Sequence, residues 1–484
     1  MVAPSDFAAD ADFGGRPRTD RTDQILFWLG VAGWLAAMAL TWPSSLSFGD
    51  EVGYVGEARL LLEGRVHPLA NSPGVWVPTP SGGVAQYNLL LPLLIAPLLA
   101  VLPRAIFIGS ILAAIVLCWM GSCVLRAWGR SPLWALIILA HPTIAILSRT
   151  VMADLMFALF AVLAWWSLGR SHRVATVLSF VGLIAIKPIG VTLAFALTVG
   201  EAARLWPDIR QRDARAMARI RLAMVAIAAG LVAMASSNLI TTGRLWFGYR
   251  YLFLTTPPFW YTYLPSTGVS HLRSLLLNPP LLIAGIWPFW RRRDYGVVLL
   301  VLGMTLMMSF FFYVDFGKSA LDSLVLSPRL ILPAFAFLLI GYAECLAQLG
   351  HRIGHKVAAF FSTEVLAKLS RACLVLAPAI VAFGIGGRHK RWQEPMGQAL
   401  AVATEVTSRL HVDELWLNYT AGKAGLLFRG RVRMLDDSGR PKVILCNSQD
   451  ESYRASVVRF DCARPGYRLE ASVNAFQVMV RDSD

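Results

Sequence analysis

The chain has 484 residues, of which 56% are hydrophobic and only 15% are charged. Soluble domains average about 25% charged residues, so the composition excludes an ordinary soluble domain and predicts an integral membrane protein. The formal net charge of +15 raises the question of nucleic-acid binding, but no basic stripe accompanies a soluble nucleic-acid-binding fold. An apolar chain usually carries its basic excess in cytoplasmic loops. We therefore expect membrane lipids as partners, and no nucleic acid.

The composition along the chain predicts a polar N-terminal tail followed by a long membrane domain. Residues 1–24 are polar and predict a disordered cytoplasmic tail. Residues 25–387 form the predicted transmembrane domain, in which 174–205 are a helical hairpin with Lys187 and Pro188 at its tip. The other apolar runs lie near residues 25–43, 105–125, 132–149, 154–169, 221–240, 276–290, 295–313, 328–348 and 372–387. Together they predict a mostly α, polytopic helical bundle of about eleven spans.

The distribution of arginine and lysine predicts the orientation. With a cytoplasmic N-terminus, nearly every short basic cluster falls on the inner side, as the positive-inside rule requires. The outer segments are then 44–104, 149–154, 241–275, 314–327 and everything after 387. Residues 88–103 are apolar but short and broken by three prolines. A crossing there would turn the later arginine clusters outward, so we expect a surface-lying or re-entrant helix.

Residues 388–484 differ in character from the membrane part. Charge rises, and alternating runs such as 442–445 and 456–460 predict strands separated by turns. We expect a small α+β domain outside the cytoplasm. Cys446 and Cys462 lie in this domain, where a disulfide is expected and two unpaired thiols are the alternative.

An acid pair, Asp50 and Glu51, follows the first span. Ionised carboxylates are costly near hydrocarbon, so acids held at the membrane surface are candidates for a functional site. They open a predicted amphipathic helix with Val52 and Val55 on its apolar side. The alternative is that Asp50 only caps this helix and Glu51 favours its dipole. Asp154 starts a later span on the same predicted outer face.

Basic residues share that outer face, where they could anchor helices or bind an anion. Beside acids, such cations suit transfer from a lipid phosphate, because they stabilise the departing phosphate while a carboxylate takes the proton of the acceptor. Acid pairs also bind hard cations, so a divalent cation is compatible with the sequence without being required by it. The outer cations are Arg149, Lys187, Arg244, Arg250, Lys318 and Arg329.

The ordered set of these motifs resembles the class C, polyprenyl-phosphate-dependent glycosyltransferases. The similarity is to the bacterial branch that includes protein O-mannosyltransferases and lipid A aminoarabinose transferases. It rests on four pieces spread over residues 25–350, namely Gly49-Asp50-Glu51, Arg149 to Asp154, Lys187-Pro188 and Pro328-Arg329. The sequence departs from the family at residues 85–92, where relatives carry a Pro-Pro-Leu element, and at the hairpin, where relatives have Lys-Gly-Pro.

The resemblance implies an inverting sugar transfer on the extracytoplasmic face of a bacterial inner membrane. The donor would be a polyprenyl-phosphate sugar and the acceptor an envelope lipid, glycan or protein. Asp50 would match the catalytic acid that acts as base for the acceptor, with Glu51 beside it, and Asp154 would match the second outer-loop acid. Lys187 and Arg329 would fall near the lipid phosphate. Arg149, Arg250 and Lys318 are further candidates for that phosphate because of their place on the outer face. A transporter or flippase for a lipid-linked saccharide is the alternative, although transporters bind near the bilayer midplane, often between repeats.

Overall fold

The computed structural model describes residues 21–67, 72, 76–79, 82–85, 88–243, 245, 260–311, 324–357, 363–418, 421–435, 440–447 and 465–482. It is mostly helical, with a small C-terminal sheet, as predicted. The helices are α1 Arg21–Leu40, α2 Gly49–Leu62, α3 Leu90–Val101, α4 Ile108–Ala127, α5 Leu136–Leu139, α6 Pro142–Leu147, α7 Ala153–Gly169, α8 Arg173–Ile186, α9 Gly190–Arg204, α10 Trp206–Arg210, α11 Ala214–Thr242, α12 Val269–Leu277, α13 Trp287–Arg291, α14 Tyr295–Ser309, α15 Leu332–Val357, α16 Thr363–Arg409 and α17 Gly422–Gly425.

Five described helical segments are long and apolar enough to cross a membrane alone: Arg21–Leu40, Pro103–Ala127, Ala214–Thr242, Leu324–Gly350 and Ala367–Arg409. The helices α7, α8 and α14 are apolar but shorter. The hairpin prediction is confirmed, because α8 and α9 flank Lys187. The prediction of single helices at 132–149 and 276–290 is wrong. Pro142 interrupts the first stretch, and Pro279 and Pro280 follow the end of α12 in the second, since proline lacks the N–H that a continuous helix needs.

Two groups of polar contacts mark opposite ends of the helical part. At one end, which we call the basic end because it carries several arginines, Ser131 Oγ donates to Asp23 Oδ2 over 2.6 Å, and Arg371 Nε lies 3.1 Å from Asp23 Oδ1. At the other end, which we call the site end, Arg149 Nη1 donates to Thr41 Oγ1 and its Nε to His389 Nδ1. Asp23 lies in the first turn of α1 and Thr41 directly follows its last residue, while Arg371 and His389 both lie on α16. Each pair is eighteen residues apart, about 27 Å of α-helix, close to the roughly 30 Å hydrocarbon core of a bilayer.

The predicted inner arginines collect at the basic end. Arg130 Nε and Arg292 Nη2 bind the buried carboxylate of Glu344 over 2.9 and 3.3 Å. Arg204 and Arg219 bind Glu201 over 2.6 and 2.9 Å. Glu201 lies fourteen residues beyond the hairpin tip, about 21 Å along α9. Two clusters that are distant in sequence thus meet at the end that the charge distribution assigned to the cytoplasm.

The proline-rich helix α3 does not connect the two ends. Its twelve residues span about 18 Å, too short for the hydrocarbon core. Just before it, Leu89 N donates to Ser237 Oγ near the end of α11, over 3.3 Å. Just after it, Arg104 O accepts from Trp42 Nε1 over 3.2 Å. Both Ser237 and Trp42 lie near the site end, so α3 begins and finishes there, as expected for a surface-lying or re-entrant helix.

The C-terminal part is a mixed five-stranded sheet. Its strands are β3 Glu414–Leu417, β4 Arg431–Met434, β5 Val443–Asn447, β6 Tyr467–Val473 and β7 Phe476–Arg481, in the order β4-β3-β5-β7-β6. β3 pairs in parallel with β4 and β5, while β5–β7 and β6–β7 are antiparallel. A separate hairpin joins β1 Trp76–Thr79 to β2 Gly82–Ala85. The predicted strand at 442–445 is present as β5, whereas 456–460 lie outside the described residues.

Helix α16 carries the chain from the bundle into this sheet. It has 47 residues, about 70 Å, and runs without interruption through residue 388, where the sequence predicted the C-terminal domain to start. The sheet itself begins only at Glu414. At the other terminus α1 starts at Arg21, inside the predicted tail of residues 1–24. The sequence-based boundaries therefore fall within helices at both places.

Candidate active site

The N-terminal turn of α2 presents Asp50 at the site end. The helix begins at Gly49 with Phe48 as its N-cap, so the alternative that Asp50 caps the helix is wrong. Asp50 Oδ2 instead lies 2.6 Å from Arg329 Nη2. The Asp50 side chain is 37% exposed and that of Arg329 is 11% exposed. The accessible member of the pair is thus the carboxylate, and a largely buried guanidinium balances its charge.

Arg329 is held by a proline-bounded turn. It lies in the 3₁₀ segment Ser327–Ile331, directly before α15, with Pro328 on one side and Pro333 beyond it. Proline fixes the backbone φ angle and suits the first turn of a helix. The Arg329 guanidinium also lies over the Phe48 ring, 5.7 Å from its centroid. Arg329 is therefore held in place both by its own turn and by the ring of Phe48, the N-cap residue of α2.

Glu51 faces inward and binds only backbone. Its Oε2 accepts from Ser47 N and Phe48 N over 2.6 and 2.7 Å, and its Oε1 accepts from Val151 N over 2.6 Å. The residue is completely buried, and burial raises the pKa of Glu51 to about 7 against the opposing effect of the three hydrogen bonds. Glu51 thereby ties the loop before α2 to the loop before α7, which carries Asp154.

Asp154 and Lys187 form the second ion pair of the site. Asp154 lies in the first turn of α7, and Lys187 ends α8 at the hairpin tip. Lys187 Nζ is 2.5 Å from Asp154 Oδ1, with side-chain exposures of 23% and 1%. Lys187 Nζ also lies 5.7 Å from the Phe157 ring centroid. An ammonium offers three donors, so Lys187 can hold Asp154 and still have donors for a second acceptor.

The structure places Arg149 inside the protein. The residue is completely buried, and it hydrogen-bonds to Thr41 Oγ1 over 2.7 Å and to His389 Nδ1 over 3.2 Å. The predicted contact of Arg149 with a lipid phosphate therefore has no exposed guanidinium to support it. His389 Nε2 in turn lies 2.7 Å from Ser47 Oγ, so Arg149 is linked to the loop that precedes the acid pair.

Residues that the sequence analysis missed complete this support. Gln393 Nε2 donates to Ser47 Oγ over 2.8 Å and to Ser45 O over 2.5 Å. His389 and Gln393 lie on α16, past the predicted domain boundary, and belong to no recognisable sequence motif. Glu57, also buried, was missed although it lies on α2 beside the acid pair. Its burial depends on how α2 packs against the rest of the chain, which the local sequence does not encode.

The environment of α2 corrects one further prediction. An amphipathic helix would bury one face, but α2 is buried on nearly all sides from Glu51 to Ala58. One side packs against α3 and another against the C-terminal domain near α17. The helix that presents Asp50 is therefore enclosed between two parts of the chain, and Asp50 is the acid of the pair that stays accessible.

Arg244, Arg250 and Lys318 lie outside the described residues, as does Cys462. Cys446 takes part in a disulfide, and its pairing with Cys462 stays a prediction. Within the described ranges, no group of three or more histidine, cysteine, aspartate or glutamate side chains is arranged to hold a metal ion.

Comparison with solved structures identifies the fold. The chain is similar to ArnT from Cupriavidus metallidurans bound to undecaprenyl phosphate, with a TM-score of 0.57 and 12% sequence identity over 93% of this chain and 97% of that chain. The apo state of the same protein gives a TM-score of 0.56 and 13% identity with the same coverage. No family model and no curated protein sequence matches the chain. The predicted resemblance to the class C glycosyltransferases, which include ArnT, is thus confirmed at the level of the fold.

Proposed function

We propose that this protein is an inverting glycosyltransferase that moves a sugar from a polyprenyl-phosphate donor to an envelope lipid, glycan or protein. The observation that carries the proposal is the accessible Asp50 carboxylate paired with the largely buried Arg329 at one end of an apolar bundle. A second acid–cation pair, Asp154 and Lys187, supports it. The shared fold supports it too, since the ArnT structure holds undecaprenyl phosphate, a polyprenyl phosphate of the kind that such a donor would carry its sugar on.

The geometry suits a single displacement. Asp50 accepts the proton of an acceptor hydroxyl as that oxygen attacks the anomeric carbon. The bond from that carbon to the phosphate oxygen breaks, and the released phosphate gains negative charge. Lys187 and Arg329 stabilise this charge as hydrogen-bond donors. Attack opposite the leaving phosphate inverts the anomeric centre, and Glu51 keeps the loop before α2 in place during the step.

The orientation belongs to the same proposal. The site end would face the extracytoplasmic side of a bacterial inner membrane, and the basic end the cytoplasm, in agreement with the positive-inside rule. The C-terminal sheet contacts α2 at the site end and would lie outside as well. Residues 1–24, 25–387 and 388–484 would then be an inner tail, the membrane transferase domain and an outer domain whose first residues complete α16.

The substitution Asp50→Asn tests the proposal in a strain that lacks this protein. Mass spectrometry of envelope lipids and glycans first identifies the modification that disappears. We expect the parental chain to restore it and Asp50→Asn, at equal membrane abundance, to lower its rate by about 10²–10⁴-fold, because a positioned general base is lost. Asp482→Asn, at an exposed acid directly after β7, is the matched control and should restore it fully. Parental rates from Asp50→Asn would overturn the assignment.

A flippase for a lipid-linked saccharide is separated by its product. The acids of this site lie at one end of the helices, whereas transporters bind near the bilayer midplane. Reconstituted protein is given a labelled lipid-phosphate sugar together with an envelope extract as acceptor source. A new glycosidic product supports the transferase, whereas movement of the label between leaflets without bond breakage supports the flippase.

A further inference from the structure

The C-terminal domain is hydrogen-bonded to α2, the helix that presents Asp50. Arg59, two turns further along α2, donates to Leu426 O from Nε and Nη2 over 2.9 and 2.7 Å. Its Nη1 donates to Gly430 O over 3.1 Å, and its Nη2 also reaches Phe428 O. These carbonyls belong to the turn between α17 and β4. In the described part of the chain, the hydrogen bonds of this guanidinium go entirely to the backbone of another domain.

The C-terminal domain also contacts the chain before and after Asp50, in addition to the hydrogen bonds of Arg59. Before the acid pair, Leu46 N donates to Lys423 O over 3.0 Å. After it, Arg433 Nη1 lies 2.9 Å from Glu63 Oε1. A Cβ built on Gly422 would lie 3.3 Å from Val52 Cγ1, so α17 approaches α2 closely. The domain therefore contacts the loop before Asp50, the helix that follows it and the end of that helix.

We infer that Arg59 is a positioning residue, which fastens α2 to the C-terminal domain and so fixes the Asp50 carboxylate relative to Arg329. This inference rests on the proposed function of Asp50. Nine residues, about 13 Å of continuous helix, join Arg59 to Asp50, so a shift at one is transmitted to the other. Misplacing a reacting group by about 1 Å can lower the rate by about 10²-fold. The C-terminal domain is accordingly an integral part of the active site.

The chemistry of the contact makes arginine specific. A guanidinium presents five donors in a planar fork and can reach three carbonyls at once, whereas the ammonium of lysine is a compact charge on a flexible stem. Arg59→Lys preserves charge and length but cannot reproduce the fork. We therefore expect Arg59→Lys to loosen α2 while the protein still inserts and folds, since the contacts of Leu46 and Glu63 remain.

Amide hydrogen exchange of the purified full-length protein in detergent tests the loosening directly. We expect exchange in peptides covering residues 45–62 to rise at least tenfold in Arg59→Lys, with no change in peptides covering residues 200–220 at the basic end. Arg65→Lys, an exposed arginine beyond the same helix, is the matched control and should leave both regions unchanged. Parental exchange at 45–62 in Arg59→Lys would overturn the inference.

A disulfide between α2 and α17 supplies the converse test. Val52→Cys and Gly422→Cys place two thiols on facing helices, at a point where a Cβ on residue 422 would lie 3.3 Å from Val52 Cγ1, so a disulfide can be sought between them by oxidation. Added to Arg59→Lys, the oxidised bridge should restore protection of residues 45–62, and the reduced form should not. Protection that stays lost after oxidation would show that Arg59 acts by another route.

The activity assay separates this inference from the proposed function. We expect Arg59→Lys to lower turnover of the missing envelope modification by about 10²-fold, and the oxidised bridge to recover most of it. If Arg59→Lys loosens α2 while Asp50→Asn stays fully active, the proposed function is wrong and the contact is only structural. If Asp50→Asn is inactive while Arg59→Lys keeps parental turnover, the positioning role is wrong and the proposed function stands.

Discussion

At the scale of single residues, burial decides what each charged group can do. Asp154 is almost completely buried, and its partner Lys187 retains 23% exposure. Removing one member of a buried pair leaves the other as an uncompensated charge, which is far more costly than removing both. Glu51 is also buried, and its carboxylate accepts hydrogen bonds from three backbone N–H groups, so it serves the structure of the loops. Asp50 alone among these three acids keeps an accessible carboxylate, which suits a group that must meet a substrate.

A comparison of one single variant with the double variant tests this difference in cost for the pair of Asp154 and Lys187. We expect Lys187→Met to destabilise the protein by about 3–5 kcal/mol, because it leaves Asp154 buried without its cation. The double change Asp154→Asn with Lys187→Met should cost less than Lys187→Met alone. Thermal unfolding in detergent, at one pH and one lipid content, checks the order of midpoints. A double variant that melts below Lys187→Met would contradict the interpretation.

At the scale of elements, the path of a short apolar segment follows from the contacts at its two ends. Helix α3 is as apolar as a span, but twelve residues cannot cross the hydrocarbon core. Its neighbours at both ends belong to the site end. Segments 132–149 and 276–290 show the same point differently, since proline divides them into short helical pieces. Apolar composition therefore locates such a segment in the membrane region without giving its path.

Labelling of single cysteines tests the path of α3. In a chain with the free cysteines replaced, Asn88→Cys and Arg104→Cys stand just before and just after the helix. We expect a membrane-impermeant maleimide to label both from outside intact spheroplasts, because both ends of α3 lie at the site end. Labelling of one position from outside and the other only after permeabilisation would mean that α3 crosses the membrane.

At the scale of the whole molecule, two charged ends about 27 Å apart define how the protein sits in a bilayer. The basic end holds arginines around Glu344 and Glu201. The site end holds Asp50, Asp154 and the C-terminal sheet. This arrangement matches the hydrocarbon thickness and follows from contacts between distant parts of the chain. The proposed orientation places the site end outside the cytoplasm.

The same maleimide reports this orientation. Arg65→Cys lies at the site end and Arg293→Cys at the basic end, and both parental residues are exposed. We expect Arg65→Cys to react in intact spheroplasts and Arg293→Cys to react only after permeabilisation. The reverse pattern would invert the protein in the membrane, and the sugar-transfer proposal would be lost with the orientation.

The sequence by itself determined the membrane class, the acids at the end of a span, the Lys187 hairpin and the separation of basic loops from acidic ones. These features are local, because apolar run length, proline placement and loop charge act within a few residues. Only the tertiary structure decided which groups meet. Asp50 and Arg329 are 279 residues apart, and Arg59 reaches Leu426 across 367. Such partners, and the burial of Arg149 and α2, depend on how elements pack, which no local pattern encodes.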